Sequence, residues 1–203
     1  MTDALVEDGF LILHGWQNQR PAGHWEHWLA DRLTASGHAV DYPALPDPDH
    51  PDLEVWLAEL RKRLGALPGR RRTVVCHSLA CVLWLHAAAR GDVAVPVDRV
   101  LLVAPPSAGY LGRYPEVAAF APPRVSSAQL YATAGYVRMV GGDDDPCCPE
   151  GAAAVFAEPL GLPVDVLAGQ GHLGEDAGYG SWPSLLDWCV ERDDDAPIRS
   201  RAR

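Results

Sequence analysis

The sequence predicts an α/β fold, a doubly wound, mostly parallel sheet of about six strands with helices between them. Three observations predict it. Short apolar runs such as Phe10-Leu11-Ile12-Leu13 and Thr73-Val74-Val75-Cys76 recur along the chain and read as strands buried on both faces. Longer segments with apolar residues at helical spacing separate them, an alternation that calls for parallel pairing. The 203 residues, 48% of them apolar, suffice for one sizeable core and not for two ordinary domains. The expected organisation is a single domain over 1–192 and a charged, disordered tail over 193–203.

Each element follows in order. Phe10–Leu13 is the first strand and ends in His14-Gly15-Trp16, before a polar, turn-rich loop. Residues 24–33 read as a helix, with Trp25, Trp28, Leu29 and Leu33 on one face as core residues. Ala39–Tyr42 is a weaker strand, and the four prolines between Pro43 and Pro51 exclude regular structure there. A helix begins at Asp52, with Leu53, Trp56, Leu57, Leu60 and Leu64 buried and Glu59 paired to Arg63 on the wet side. The strand Thr73–Cys76 runs through Ser78 into a helix, Leu79–Ala89, that is apolar almost all round. Val100–Val103 is the next strand. Residues 107–133, rich in Gly, Pro and Ser, read as a loop or minimal lid. Tyr136–Val140 precedes Gly141-Gly142-Asp143-Asp144-Asp145-Pro146, and a helix is expected from Pro149 to before Pro159. Val164–Leu167 is the last strand, ending near His172, and the closing helix spans Pro183 to Arg192.

Composition removes several classes of function. A formal net charge of −10 argues against nucleic acid and against an anionic membrane surface as partners. The N-terminus lacks the pattern of a secretory signal, and no run approaches the roughly twenty apolar residues of a membrane span. Five cysteines without framework spacing point to reduced thiols and a cytoplasmic location. Cys147-Cys148 is not a Cys-x-x-Cys pair, no zinc-ligand spacing occurs, and no phosphate-binding glycine motif is present. No metal and no cofactor is expected.

The chemistry is expected at the carboxyl ends of the strands. Ser78, Asp145 and His172 each lie just past one, and so does His14-Gly15-Trp16. A serine hydroxyl needs a base to become a nucleophile, and an imidazole needs a buried carboxylate to fix its tautomer. Ser78 sits between a strand and a helix with the small residues Cys76 and Ala80 two positions to either side, as a nucleophile elbow requires. The order serine, acid, histidine is that of the α/β-hydrolases.

Beyond these residues, His24-Trp25, Cys76-His77-Ser78-Leu79-Ala80-Cys81, Asp145-Pro146, and Gly171-His172 through Gly180-Ser181-Trp182-Pro183 make the chain resemble a family of small serine hydrolases, over roughly Phe10 to Arg192. The family is that of retinoblastoma-binding protein 9 and the bacterial YdeN-like proteins. The resemblance implies an α/β-hydrolase fold with Ser78 as nucleophile, His172 as base and Asp145 as acid. It selects Asp145 because that residue directly precedes a proline. Asp144 is the alternative, the other carboxylates of the run being solvated. Ala80 and Leu173-Gly174 depart from the family pattern and bear on substrate fit. Backbone N–H groups of Trp16 and Leu79 are the expected oxyanion donors. Trp16, Gln17, Pro105, Tyr110 and Trp182 are the expected pocket wall, while His14, His77 and His86 are read as structural. The Leu-x-Cys-x-Glu motif that the family name brings to mind is absent, since Asp187 stands where the leucine would be. The expected activity is cleavage of an ester-like or thioester-like bond in a small-molecule acyl substrate through an acyl-enzyme. A peptidase or amidase with the same triad, and a non-catalytic binding protein that keeps the fold, are the alternatives.

Overall fold

The structure, a computed structural model, describes residues 8–191 and 193–201. The strands are β1 (Gly9–Leu13), β2 (Ala39–Asp41), β3 (Arg72–His77), β4 (Val97–Val103), β5 (Ala134–Gly142) and β6 (Val164–Leu167). They form one parallel sheet of six strands in the order β2-β1-β3-β4-β5-β6. After β1 the chain adds β2 on one side, then returns to lay β3 on the other. That reversal opens a crevice at the carboxyl ends of β1 and β3, where doubly wound sheets take their ligands. Leu13 pairs with Cys76, so the chain leaves the sheet at His14-Gly15 beside the turn that carries Ser78.

Period-two alternation divides the core between the faces of the sheet. Leu11, Leu13, Val74, Cys76, Val100 and Leu102 face α2 (Leu53–Ala66), α3 (Leu79–Arg90) and α5 (Ser127–Tyr131). Phe10, Ile12, Val75, Leu101 and Val103 face α1 (Trp25–Ala35) and α7 (Pro183–Val190), with Trp25, Leu29, Leu33 and Trp188 filling that layer. Helix α3 is buried on nearly every side because it crosses the middle of the sheet. Asp52 caps α2 by accepting from the Val55 amide at 3.0 Å.

Three segments differ from the sequence expectation. Residues 107–133 hold α4 (Ala108–Leu111), a 3₁₀ turn (Pro115–Phe120) and α5, and Val117, Phe120 and Leu130 anchor them in the core. Short turns that each bury one or two side chains carry no long-range periodicity, so composition alone marks them as loop. The helix expected from Pro149 starts later, with a π-helical Ala153–Ala157 that passes into α6 (Glu158–Leu160). The tail is not disordered over 193–201. Ile198 is 1% exposed, and its amide donates to Asp165 at 3.2 Å. The Arg199 carbonyl accepts from Trp182 Nε1 at 2.7 Å, and the Asp194 carbonyl accepts from Arg138 at 2.7 Å. Its backbone carbonyls are therefore spent on buried indole and guanidinium donors of the sheet's α7 face, where the Ile198 side chain anchors it. Among the described residues no helix is long and apolar enough to cross a membrane.

A buried polar cluster lies beside this layer. His24 occupies the N-cap of α1, its Nδ1 accepting from the Glu26 amide at 3.3 Å. Glu26 is fully buried, and its Oε2 accepts from Asn18 at 2.9 Å and from Tyr42 at 3.2 Å. Burial pushes the Glu26 carboxyl up to about 8 and the His24 ring down to about 4, so near neutral pH both are uncharged. Their 3.3 Å contact is thus not an ion pair at that pH.

Two outcomes follow from the tail and the cluster. Ile198→Asp places a charge in a dry anchor point and should lower Tm by several degrees. An unchanged Tm would mean that the tail bears no weight. For Glu26, an acid held protonated up to about pH 8 against an unfolded value of 4.5, folding is fully favoured below the lower value. That stability drains as pH climbs towards the higher one, because the unfolded chain has already released the proton. Glu26→Gln removes the loss, so its Tm should exceed the wild type's by a few degrees at pH 8 and by little at pH 4, as differential scanning calorimetry reads it.

Candidate active site

The site begins with a backbone constraint. Between β3 and α3 the chain has one residue in which to turn from strand to helix, and that residue is Ser78, at φ 53° and ψ −119°. A non-glycine residue in this region is strained, and the strain is characteristic of a nucleophile elbow. The Ser78 side chain makes no capping bond to α3, so Oγ is free to face the crevice. Gly15 makes room for it: a Cβ there would lie 2.8 Å from Ser78 Cβ and 3.2 Å from its Oγ. Only a glycine after His14 lets the two loops meet.

His172 arrives from the loop after β6. Its Nε2 is 2.8 Å from Ser78 Oγ, and its Nδ1 is 2.9 and 2.8 Å from the two oxygens of Asp145. Asp145 is 1% exposed and also accepts the Cys147 amide at 2.8 Å. The neighbouring aspartates do not sit idle in solvent, as the sequence reading has them. Asp143 accepts the Gly169 amide at 2.7 Å and Asp144 the Gly171 amide at 2.7 Å. Three successive carboxylates therefore grip three successive points of the loop that delivers His172. Gly142 permits the approach, since a Cβ at that position would overlap the Gly171 carbonyl. Burial disfavours a charged His172 ring, but its hydrogen bonds to Asp145, the nearby Cys147 side chain and the pull of the Asp145 carboxylate outweigh it. The pKa is pushed up to about 9.

The other histidines are placed by backbone groups. His14 donates from Nδ1 to the Gly15 carbonyl at 2.9 Å and accepts the Leu45 amide on Nε2 at 2.8 Å, and burial lowers its pKa. His77 donates from Nε2 to the His172 carbonyl at 3.2 Å, while His86 reaches the Ala121 carbonyl at 3.0 Å. All three thus hold backbone in place.

Around Ser78 opens a cavity of about 740 Å³. Of the expected wall, Trp16, Gln17 and Tyr110 line it, together with Leu79. Pro105 and Trp182 do not. Pro105 is buried behind the wall, with Pro106 taking the lining position. Trp182 is fully buried against Trp25 and Tyr179 on the α7 face, because the loop after His172 turns into that core layer. The sequence reading missed Glu175 and Asp176, which form an acidic stretch of the rim, and Cys147. Among the described residues, neither the Trp16 nor the Leu79 amide donates to another group, so both are available at the crevice. The Trp16 loop is fixed from behind: Trp16 Nε1 donates to the Asp49 carbonyl at 3.0 Å, and the Gln17 amide to Pro48 at 2.8 Å.

Folding also creates donor groupings invisible in linear spacing. Ligand atoms of His24, Glu26 and His77 lie within 4.8 Å of one another, as do those of Asp145, Cys147 and His172. In the first, Glu26 Oε1 and His77 Nδ1 are buried without a hydrogen-bond partner. The second opens on the cavity, which Cys147 and His172 line.

Chemically, the arrangement can transfer a proton from a serine hydroxyl to an imidazole held by a buried carboxylate, beside two free amides. The relatives agree with a hydrolytic site. The chain is 25% identical to the hydrolase YdeN of Bacillus subtilis (strain 168) over 179 residues, covering 87% of this chain and 91% of YdeN. The crystal structure of YdeN superposes with a TM-score of 0.76 over 91% of this chain and 97% of its own. At 18% and 14% identity, the fold alone is shared with two further proteins. One is a YdeN-like hydrolase of Pectobacterium atrosepticum, with a TM-score of 0.65 over 89% of this chain and 88% of that one. The other is Est1E of Butyrivibrio proteoclasticus with ferulic acid bound, with a TM-score of 0.61 over 91% and 90%. The family profile described as "Serine hydrolase" matches residues 10–189, nearly the whole of the sheet and its helices, and the chain belongs to that family.

Proposed function

We propose that this serine hydrolase cleaves ester-like or thioester-like acyl bonds through an acyl-enzyme, with Ser78 as nucleophile, His172 as general base and Asp145 as the acid that orients it. The observation that carries this reading is the continuous chain of contacts from Ser78 Oγ through the His172 ring to Asp145, each 2.8–2.9 Å long. Ser78 Oγ attacks the acyl carbon while its proton passes to His172 Nε2. The carbonyl oxygen, now an oxyanion, takes hydrogen bonds from the Trp16 and Leu79 amides. Collapse expels the alcohol or thiol, to which His172 returns the proton. Water then enters by the same route, releasing the carboxylic acid and restoring Ser78. Asp145 keeps its charge throughout and stabilises the imidazolium.

The cavity supports a small or slender acyl group. Its walls of Trp16, Tyr110, Leu111 and Pro106 are apolar, and the segment 107–133 is anchored to the core beside them. The substrate is accordingly a small-molecule acyl compound. The free cysteines, all buried, support a reducing compartment such as the cytoplasm.

A fluorophosphonate probe should label the wild type and spare Ser78→Ala; equal labelling of the two would sink the assignment of the nucleophile. The pH profile tests the other two groups. His172 must be neutral to accept a proton, so kcat/KM should rise with pH along a limb whose midpoint lies above the ordinary imidazole value of 6.5, displaced towards 9. Asp145→Asn removes the carboxylate charge that favours the imidazolium but leaves the burial. The midpoint should therefore fall, and turnover should drop by roughly a thousandfold or more. Asp144→Asn, which keeps an acceptor oxygen for the Gly171 amide, should do neither. If Asp144→Asn moves the limb and Asp145→Asn does not, the acid is Asp144.

A further inference from the structure

Cys147 has no part in the reaction above, yet it faces the base. It is 9% exposed, lines the cavity, and follows Asp145 by two residues in a turn closed by its own amide on the Asp145 carboxylate. That turn sends the thiol back towards the His172 ring. We propose that Asp145, Cys147 and His172 form a binding site for a thiophilic divalent cation of the zinc class, and that occupancy switches the hydrolase off.

The donor set argues for this class of ion. A thiolate, an imidazole and a carboxylate are the three ligand types that zinc takes in tetrahedral sites, and the fourth position would open onto the cavity, where water can fill it. The donors lie within 4.8 Å of one another. Tetrahedral coordination at zinc bond lengths of about 2.0–2.3 Å requires separations of about 3.5 Å, within reach of side-chain rotation. Cys147 binds as the thiolate, releasing its proton to solvent. Hard cations such as magnesium and calcium, which prefer all-oxygen shells, are excluded by the same donors. The other four cysteines do not compete: Cys76, Cys81 and Cys189 are fully buried and Cys148 is 1% exposed.

Inhibition follows from the ring nitrogen the metal takes. The Asp145 carboxylate lies against Nδ1, so a metal shared with it binds that nitrogen and replaces the hydrogen bond by which Asp145 orients the ring. Binding stands on the three side chains alone, whereas the inhibitory effect rests on the catalytic reading of Ser78 and His172.

The test uses the full chain and cobalt(II) as a spectroscopic stand-in for zinc. Titration should produce a thiolate-to-cobalt charge-transfer band and the visible absorption of a tetrahedral ion. Both should persist in Ser78→Ala, which removes no ligand, and the charge-transfer band should vanish in Cys147→Ser. Wild-type protein alkylated by iodoacetamide should lose the band as well, without any mutation. In parallel, zinc should inhibit ester hydrolysis reversibly, with full recovery in EDTA, while magnesium has no effect. Cys147→Ser should need at least about tenfold more zinc for half-inhibition, since losing a ligand costs no less than losing an outer-shell partner. Absence of the band in the wild type, its survival in both Cys147→Ser and the alkylated protein, or equal zinc sensitivity of Cys147→Ser and wild type would overturn the proposal. A normal band in a protein with no hydrolytic activity would uphold the metal site and overturn the catalytic reading instead.

Discussion

The single-residue turn at Ser78 is the constraint on which the rest of the site depends. A strand buried on both faces must become a helix buried on every side without leaving the core, and Ser78 absorbs the change in direction with a positive φ. Such a residue is held only when its surroundings over-determine it. Here the Ser78 amide donates to the Val103 carbonyl at 2.9 Å, and the Cys81 thiol donates to the Cys76 and Val103 carbonyls at 3.3 and 3.2 Å. The small side chains of Cys76 and Ala80 let β3, β4 and α3 close around the turn. Strain at Ser78 is thereby offset by order in the centre of the sheet.

The second half of the site depends on the first through distance in sequence. His172 meets Ser78 across a separation of 94 residues, and nothing local holds it there. The loop after β6 is instead held by the aspartates after β5, at Gly169, at Gly171 and at the ring itself. From behind, His77 contributes a hydrogen bond to the His172 carbonyl. On the far side, Tyr179 donates to Gln170 at 2.8 Å, and Tyr179 and Trp182 belong to the core layer against which the tail closes. The geometry at Ser78 is thus coupled to the packing of the α7 face.

Much of this was legible in the sequence because parallel strands announce themselves. β1, β3, β4 and β5 are apolar runs, and Ser78, Asp145 and His172 all follow the ends of strands, where the topology must gather them. What was not legible depends on tertiary contact. The roles of Asp143 and Asp144 need the register of β5 against β6 to be known, since their partners are backbone amides with no signature. Trp182 reads as a pocket residue from its nearness to His172, but the loop reverses and buries it. Nothing in the spacing of α1 singles out Glu26, and only the meeting of α1 with Asn18 and Tyr42 reveals that it is dry. The tail carries the composition of a disordered segment, and one isoleucine with a few carbonyls suffices to hold it.

The close approach of Gly142 to Gly171 divides the molecule's capacity for change. No side chain can be added at Gly142, and the Gly169 and Gly171 amides are already committed to carboxylates, so the delivery of His172 tolerates almost no variation in length or shape. The cavity wall is different. Gln17, Tyr110, Glu175 and Asp176 stand on a loop and on short helical turns outside the sheet, meet solvent, and hold neither the nucleophile nor the base. Substrate range can therefore drift by single substitutions along that wall while the reaction stays the same, which separates the evolution of specificity from that of chemistry within one small sheet.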